Sequence, residues 1–255
     1  MTIKHVLVPI VMEQEAKPFV EHLGLSQVEG FFPSHTPFLA FEGKSGDCLV
    51  TVITFGKDQI YGTGVDNVGT VPSSLATYLA LSKQEQEQEG TKMPKFDLVI
   101  NAGTCGGFQR KGLGIGNVVL TTGVANHDRR IPIPGFDAFG IGKITTFDPS
   151  KMAEALNYQT GVCTTGNSLD KVEKDDELML ANDASVKDME AGAIAWICQM
   201  CSVPYLGVKV VTDVVDGGVP THEEFLANLS SAAQSLQEAL PEVIEFVAGK
   251  KIEDL

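Results

Sequence analysis

Residues 205–218 read YLGVKVVTDVVDGG. The first seven are mostly apolar and β-branched and follow Pro204, the pattern of a buried strand. Asp213 stands at the strand's end, where the flanking chain is built to exclude water. A turn or a helix N-cap would explain such a carboxylate, and Asp216, followed by Gly217 and Gly218, fits that explanation. Asp213 fits it poorly, because Val214 and Val215 prolong the apolar run. Ligands of α/β sheets bind just outside the carboxyl ends of strands, so Asp213 is a candidate site residue.

Outward from this strand the chain alternates between the two periodicities. Strands are expected over 5–11, 96–103, 117–128 and 160–166, and a hairpin-like pair over 38–42 and 48–55. Helices are expected over 13–23, 65–83, 151–158 and 186–200. The stretch 221–248 reads as amphipathic helix, broken near Pro241. DRRIPIPGF, residues 128–136, is Pro-rich and must be a loop. QEQEQEGTKMPK, residues 84–95, reads as a polar surface connection. The alternation gives an α/β sandwich with helices on both faces of the sheet. No linker divides the 255 residues, so one domain over 1–255 is expected.

Composition excludes several function classes. The net charge of −14 disfavours nucleic acid or an anionic membrane as partner. No apolar run approaches a membrane span, and MTIKHVLVPIVMEQ at the start reads as a first strand rather than a signal peptide. Five cysteines in apolar surroundings fit a reducing cytoplasm. Cys198 and Cys201 form a C-x-x-C at the far end of a helix, where the dipole does not activate a thiol, so they read as structural. The five histidines have no metal-ligand spacing, so neither metal nor cofactor is expected. Arginine is scarce: Arg110, Arg129 and Arg130 are the three present.

The remaining motifs narrow the chemistry. NAGTCGGF, residues 101–108, ends a central strand in glycines that let backbone approach a ligand closely. Its G-x-C-x-G resembles a nucleophile elbow around Cys105, but the helix an elbow needs is replaced by QRKGLGIGNVV. GLGIG, residues 112–116, precedes a strand instead of following one and reads as a turn. VMEQEAKP, residues 11–18, opens a helix with Glu13 and Glu15, and dipole pairing accounts for Glu13 better than for Glu15. KDMEAGA, residues 187–193, sets Glu190 among Met189, Ala191, Gly192 and Ala193 on an apolar helix, where it needs a partner. Three carboxylates at separate element ends, a Gly-rich strand end and little arginine describe a pocket for a neutral, hydroxylated ligand handled by acid/base groups.

VMEQEA, INAGTCGGF, HDRRIPIP, TGNSLD, ANDASVKDMEAGA and VVTDVVDG together resemble the 5′-methylthioadenosine nucleosidases, plant-type members above all, of the nucleoside phosphorylase superfamily. The resemblance spans nearly the whole chain. It implies a single-domain three-layer α/β/α sandwich around a central mixed sheet, and hydrolysis of methylthioadenosine to adenine and 5-methylthioribose. By resemblance Asp213 is the acid that protonates adenine N7, and Glu15 the base that activates water. Glu190 would accept from the ribose hydroxyls and Met189 pack on the sugar, with Met12 and Thr104 at the ribose end. Leu169 would meet adenine, and Ile131 would reach the alkylthio pocket of a homodimer mate. Two positions depart from the family: Asn167 where many members have Asp, and His222 where relatives often place an apolar residue near the 5′ substituent. Phosphorylases of the superfamily hold phosphate with arginines, one where this chain has Asn101 and one where it has the segment 12–15. A phosphorylase and a non-catalytic nucleoside-binding protein are the competing readings.

Overall fold

The structure is a computed structural model that describes residues 2–83 and 96–255. The expected polar connection over 84–95 lies outside the described residues. In chain order the strands are β1 (His5–Pro9), β2 (Ser26–Gln27), β3 (Leu39–Ser45), β4 (Cys48–Thr54), β5 (Leu98–Gly107), β6 (Val118–Asn126), β7 (Ile144–Thr145), β8 (Gln159–Thr165), β9 (Ala184–Asp188) and β10 (Tyr205–Val214). The helices are α1 (Glu13–His22), α2 (Thr70–Ser82), α3 (Asp137–Ile141), α4 (Ser150–Leu156), α5 (Glu173–Ala181), α6 (Ala191–Met200) and α7 (Thr221–Val247).

The strands form one mixed sheet in the order β10-β6-β8-β9-β5-β1-β4-β3-β2, with β7 beside β6. β10 also pairs with β5, so part of the sheet closes on itself. The period-2 pattern sorts side chains between two cores. Leu98, Ile100 and Ala102 of β5 and Leu206, Val208 and Val210 of β10 join Phe19 of α1 and Leu236, Leu240 and Ile244 of α7. Val99 and Cys105 of β5 and Tyr205 and Val211 of β10 join Ala76 and Ala80 of α2 and Ile194 and Ala195 of α6. Helices therefore cover both faces, as expected. Each fully buried large side chain contributes about 1.5–3 kcal/mol by leaving water.

Three expected elements differ. The helix expected over 65–83 begins only at Thr70, because Gly69 takes φ +95°, outside the helical region. The helix expected over 186–200 splits. Residues 184–188 are strand β9, paired with β8 and β5, and α6 starts after Glu190. Cross-strand pairing there overrides a helix-like apolar spacing. Pro241 does not break α7, whose buried residues run from Leu229 to Val247 on both sides of it. Packing across the proline holds the helix together despite the lost backbone hydrogen bond. The segment 128–136 is a loop as expected, leading into α3.

Candidate active site

The carboxyl ends of β5 and β10 lie side by side, and here the ladder is irregular. Val211 pairs with Cys105, yet Asp213 pairs with Gly106, so Thr212 is an extra residue on β10. Such a bulge re-aims the side chain that follows it. Asp213 thereby comes to face Gly106, where an added Cβ would stand 2.7 Å from Asp213 Oδ2 and 2.5 Å from Val215 Cγ2. The glycine leaves the room that the carboxyl occupies.

Around this point is a cavity of about 270 Å³. Asp213, Glu15, Glu190, Met189, Met12, Thr104 and Leu169 all line it. Seven of the residues singled out from the sequence, drawn from five separate chain segments, thus meet at one place. Ile131 does not line it; it lies half-buried in the loop before α3. His222 does not line it either and is exposed on the first turn of α7, while Phe225, three residues on, does. Phe225 is the apolar residue that the start of α7 brings to the cavity.

Each carboxylate is held differently. Glu15, in the first turn of α1, accepts from the Thr104 N–H at 2.9 Å and the Thr104 hydroxyl at 2.6 Å through Oε1, and from the Met12 N–H at 3.3 Å through Oε2. A first-turn acid reaching back to the cap is ordinary helix chemistry; the Thr104 bonds point it at the β5 end. Glu190 is at the N-cap of α6 rather than within a helix, and accepts from the Gly69 N–H at 2.8 Å. Burial first, and the nearby Asp188 second, push its pKa up to about 8. Asp213 accepts from the Thr212 hydroxyl at 2.8 Å. Burial raises its pKa, and the Thr212 hydroxyl and the Lys187 cation only partly offset that.

Two cations also line the cavity, and both are engaged. Lys209 pairs with Asp188 at 2.9 Å, both side chains almost wholly buried. Asp188 further accepts from the Thr165 hydroxyl at 2.7 Å and the Ala191 N–H at 2.8 Å. Burial opposes the charge of Lys209, and the Asp188 carboxylate outweighs it, so the lysine pKa lies above its ordinary value. Removing one partner of such a pair costs about 3–5 kcal/mol. Lys187 donates to the carbonyls of Ser168, Leu169 and Asp170 at 3.0, 2.6 and 2.8 Å, fixing the strap that carries Leu169.

Sequence reasoning missed Lys209, Asp188, Lys187, Phe225 and Val68 as lining residues. A signal existed for Lys209 and for the pair 187–188: charged residues inside apolar strands need buried partners. Phe225 and Val68 carried none. The nucleophile-elbow reading of Cys105 stays rejected. Cys105 is on a strand, buried, and its thiol pKa is raised by that burial, which suits structure rather than attack. Among the described residues no group of side chains could hold a metal ion, and no helix is long and apolar enough to cross a membrane.

A fold and site of this kind mark a class. The model of the phosphorylase superfamily matches residues 5–245. The chain is 41% identical over 247 residues, 96% of its length and 92% of the relative's, to a 5′-methylthioadenosine/S-adenosylhomocysteine nucleosidase of Arabidopsis thaliana. It is 40% identical over 254 residues, 99% and 91% of the two lengths, to a 5′-methylthioadenosine nucleosidase of the same plant. The apo structure of an Arabidopsis thaliana 5′-methylthioadenosine nucleosidase superposes over 100% of both chains with a TM-score of 0.92 at 39% identity. The chain belongs to the phosphorylase superfamily and, within it, to the 5′-methylthioadenosine nucleosidase family.

Proposed function

We propose that this protein hydrolyses the N-glycosidic bond of 5′-methylthioadenosine, giving adenine and 5-methylthioribose. The observation that carries this reading is the convergence of Glu15, Glu190 and Asp213 on one cavity that no arginine lines among the described residues. Asp213 gives its proton to N7 as the C1′–N9 electron pair passes to adenine. The ribosyl group, cationic in the transition state, takes the oxygen of a water whose proton goes to Glu15. Glu190 accepts from the ribose hydroxyls, and those donors favour its ionised form against burial. Met189, Met12 and Thr104 bound the sugar, and Leu169 the purine.

Water rather than phosphate suits this cavity. Glu15 lies where an oxyanion would need a cation, Lys209 is neutralised by Asp188, and Lys187 is spread over three carbonyls. Arg110 pairs with Asp216 and Arg130 with Asp175, while Arg129 donates to the Phe139 carbonyl. Adenine release should therefore proceed at full rate in phosphate-free buffer. A requirement for phosphate with formation of a sugar 1-phosphate would overturn the hydrolase reading. The same assay with S-adenosylhomocysteine, a substrate in one relative's name, decides whether that thionucleoside is also cleaved.

We take residues 1–255 as one domain, because the strands share one sheet. We further propose a homodimer in which Ile131 enters the partner's site. Ile133, Phe136 and Phe139 beside it, Val71, Leu75 and Tyr78 on α2, and Trp196 and Met200 on α6 are exposed large apolar residues, too many for a face left in solvent. Sedimentation at assay concentration tests this: a fully active monomer would exclude it. A cytoplasmic setting and a place in methionine salvage fit the substrate; the former also fits the burial of Cys48, Cys105, Cys163 and Cys198.

A further inference from the structure

Helix α2 starts at Thr70 with no side-chain cap of its own. Its first N–H groups still need acceptors, and two distant segments supply them. The Gly69 N–H donates to Glu190 Oε1 at 2.8 Å, 121 residues away. The Thr70 N–H and hydroxyl both donate to Asn167 Oδ1, at 3.0 and 2.9 Å, across 97 residues. Asn167 is itself fixed, because its N–H donates to Asp128 Oδ2 at 2.6 Å. Its neighbour Gly166 lies against the His127 ring, where an added Cβ would stand 2.3 Å from Nε2.

We infer that Asn167 is a positioning residue for Glu190, acting through the turn at Gly69 and Thr70. The inference rests on the reading of Glu190 as the acceptor for the ribose hydroxyls. The physical link is short. The Thr70 N–H belongs to the rigid peptide plane that begins at the Gly69 carbonyl. Anchoring that plane on Asn167, with Gly69 at φ +95°, fixes where the preceding N–H points. That N–H holds Oε1 of Glu190, and so sets how the carboxyl turns its other oxygen to the cavity. The Gly69 carbonyl is also tied, accepting from the Ser73 hydroxyl at 2.9 Å. Val68, just before the turn, and Leu169, just after Asn167, both line the cavity, so the same cap joins two of its walls.

Position 167 thus acts through one acceptor oxygen. An Asp there offers the same acceptor and suits a helix N-terminus; an Ala offers none. The test compares kcat/KM on methylthioadenosine with that on its 2′,3′-dideoxy analogue, which lacks the hydroxyls Glu190 would bind. Asn167→Ala should lose about fivefold to tenfold on the natural substrate, the scale of one hydrogen bond, and less than about twofold on the analogue. Asn167→Asp should stay within about twofold of wild type on both. Gly69→Ala strains the same turn, since its Cβ would meet Asn167 Oδ1 at 3.0 Å and φ is positive, and should show the same selective loss. Gly69→Ala carries the test should Asn167→Ala not fold.

Equal losses on both substrates, or no loss on the natural one, would overturn the relay. Glu190→Gln, measured alongside, separates the two levels. If Glu190→Gln fails to discriminate between the substrates, the ribose reading of Glu190 is wrong. If it discriminates and Asn167→Ala does not, the relay alone is wrong.

Discussion

Asp213 and Asp216 close the same strand, and the chain around them meets opposite surroundings. Asp213 sits in the cavity wall with one hydroxyl donor, from Thr212, and burial raises its pKa. Asp216 lies in the turn beyond. There it accepts from the Gln109 N–H at 2.6 Å and the Arg110 N–H at 3.1 Å, and pairs with the Arg110 guanidinium at 3.7 Å. Burial acts against the charge of Asp216 too, but the two N–H groups outweigh it, and its pKa is lowered. What separates the two is burial together with the supply of donors: Asp213 is buried with one hydroxyl donor, and Asp216 is exposed with two N–H donors and a guanidinium. Asp213 is the group we propose as the acid; Asp216 ties a loop.

The sharpest way to break this comparison is to remove the proton of Asp213. Asp213→Asn keeps shape and hydrogen bonding but has no acidic proton to give, so kcat should fall by about 10²-fold or more, while an inhibitor still binds within about tenfold. A variant within a few-fold of wild type would show that another group is the acid. Next comes Gly106→Ala, which forces the Asp213 carboxyl and Val215 to move. A displaced acid should cost about tenfold or more in kcat, alongside about 1–3 kcal/mol of stability, which overpacking against the buried Val215 costs. Full activity would mean that Asp213 tolerates displacement.

A third, smaller effect is on stability. Glu190 is raised from an ordinary 4.5 to about 8 in the folded chain. The folded state then holds a proton that the unfolded chain releases. The stability this group contributes is fully present below pH 4.5 and is lost as pH rises through about 8. The midpoint of thermal unfolding should therefore fall more between about pH 5 and about pH 8 in wild type than in Glu190→Gln. Parallel curves would contradict the buried, proton-holding carboxyl. Smallest of all, Asp216→Asn should keep activity within about threefold and cost about 1–2 kcal/mol of stability, as the loss of a cap-like acceptor does. An inactive Asp216→Asn with an unchanged melting curve would reverse the roles of the two acids.

Much of this was legible without the structure. The period-2 run before Asp213, the glycines of 101–108 and the acids at element ends are local patterns, and local patterns determine which elements form and which positions stand at their ends. That was enough to select Asp213, Glu15 and Glu190, and to set Asp216 aside. Local patterns mislead where pairing competes with periodicity. Residues 186–188 read as helix and are strand, because β8 and β5 offer ladder partners that no single stretch reveals.

The tertiary structure alone decided the rest. It placed Glu190 at a helix cap, joined to Gly69, and set Thr104 against Glu15. It paired Lys209 with Asp188 and brought Phe225, not His222, to the cavity. It also inserted Thr212 as the extra residue that turns Asp213 toward Gly106. These are contacts between separate elements, from about twenty to more than a hundred residues apart, and a sheet that closes on itself sets them through register and packing. The sequence determined which groups were available for chemistry; register and packing decided which of them meet, because the energy of such a contact depends on partners that lie far away along the chain.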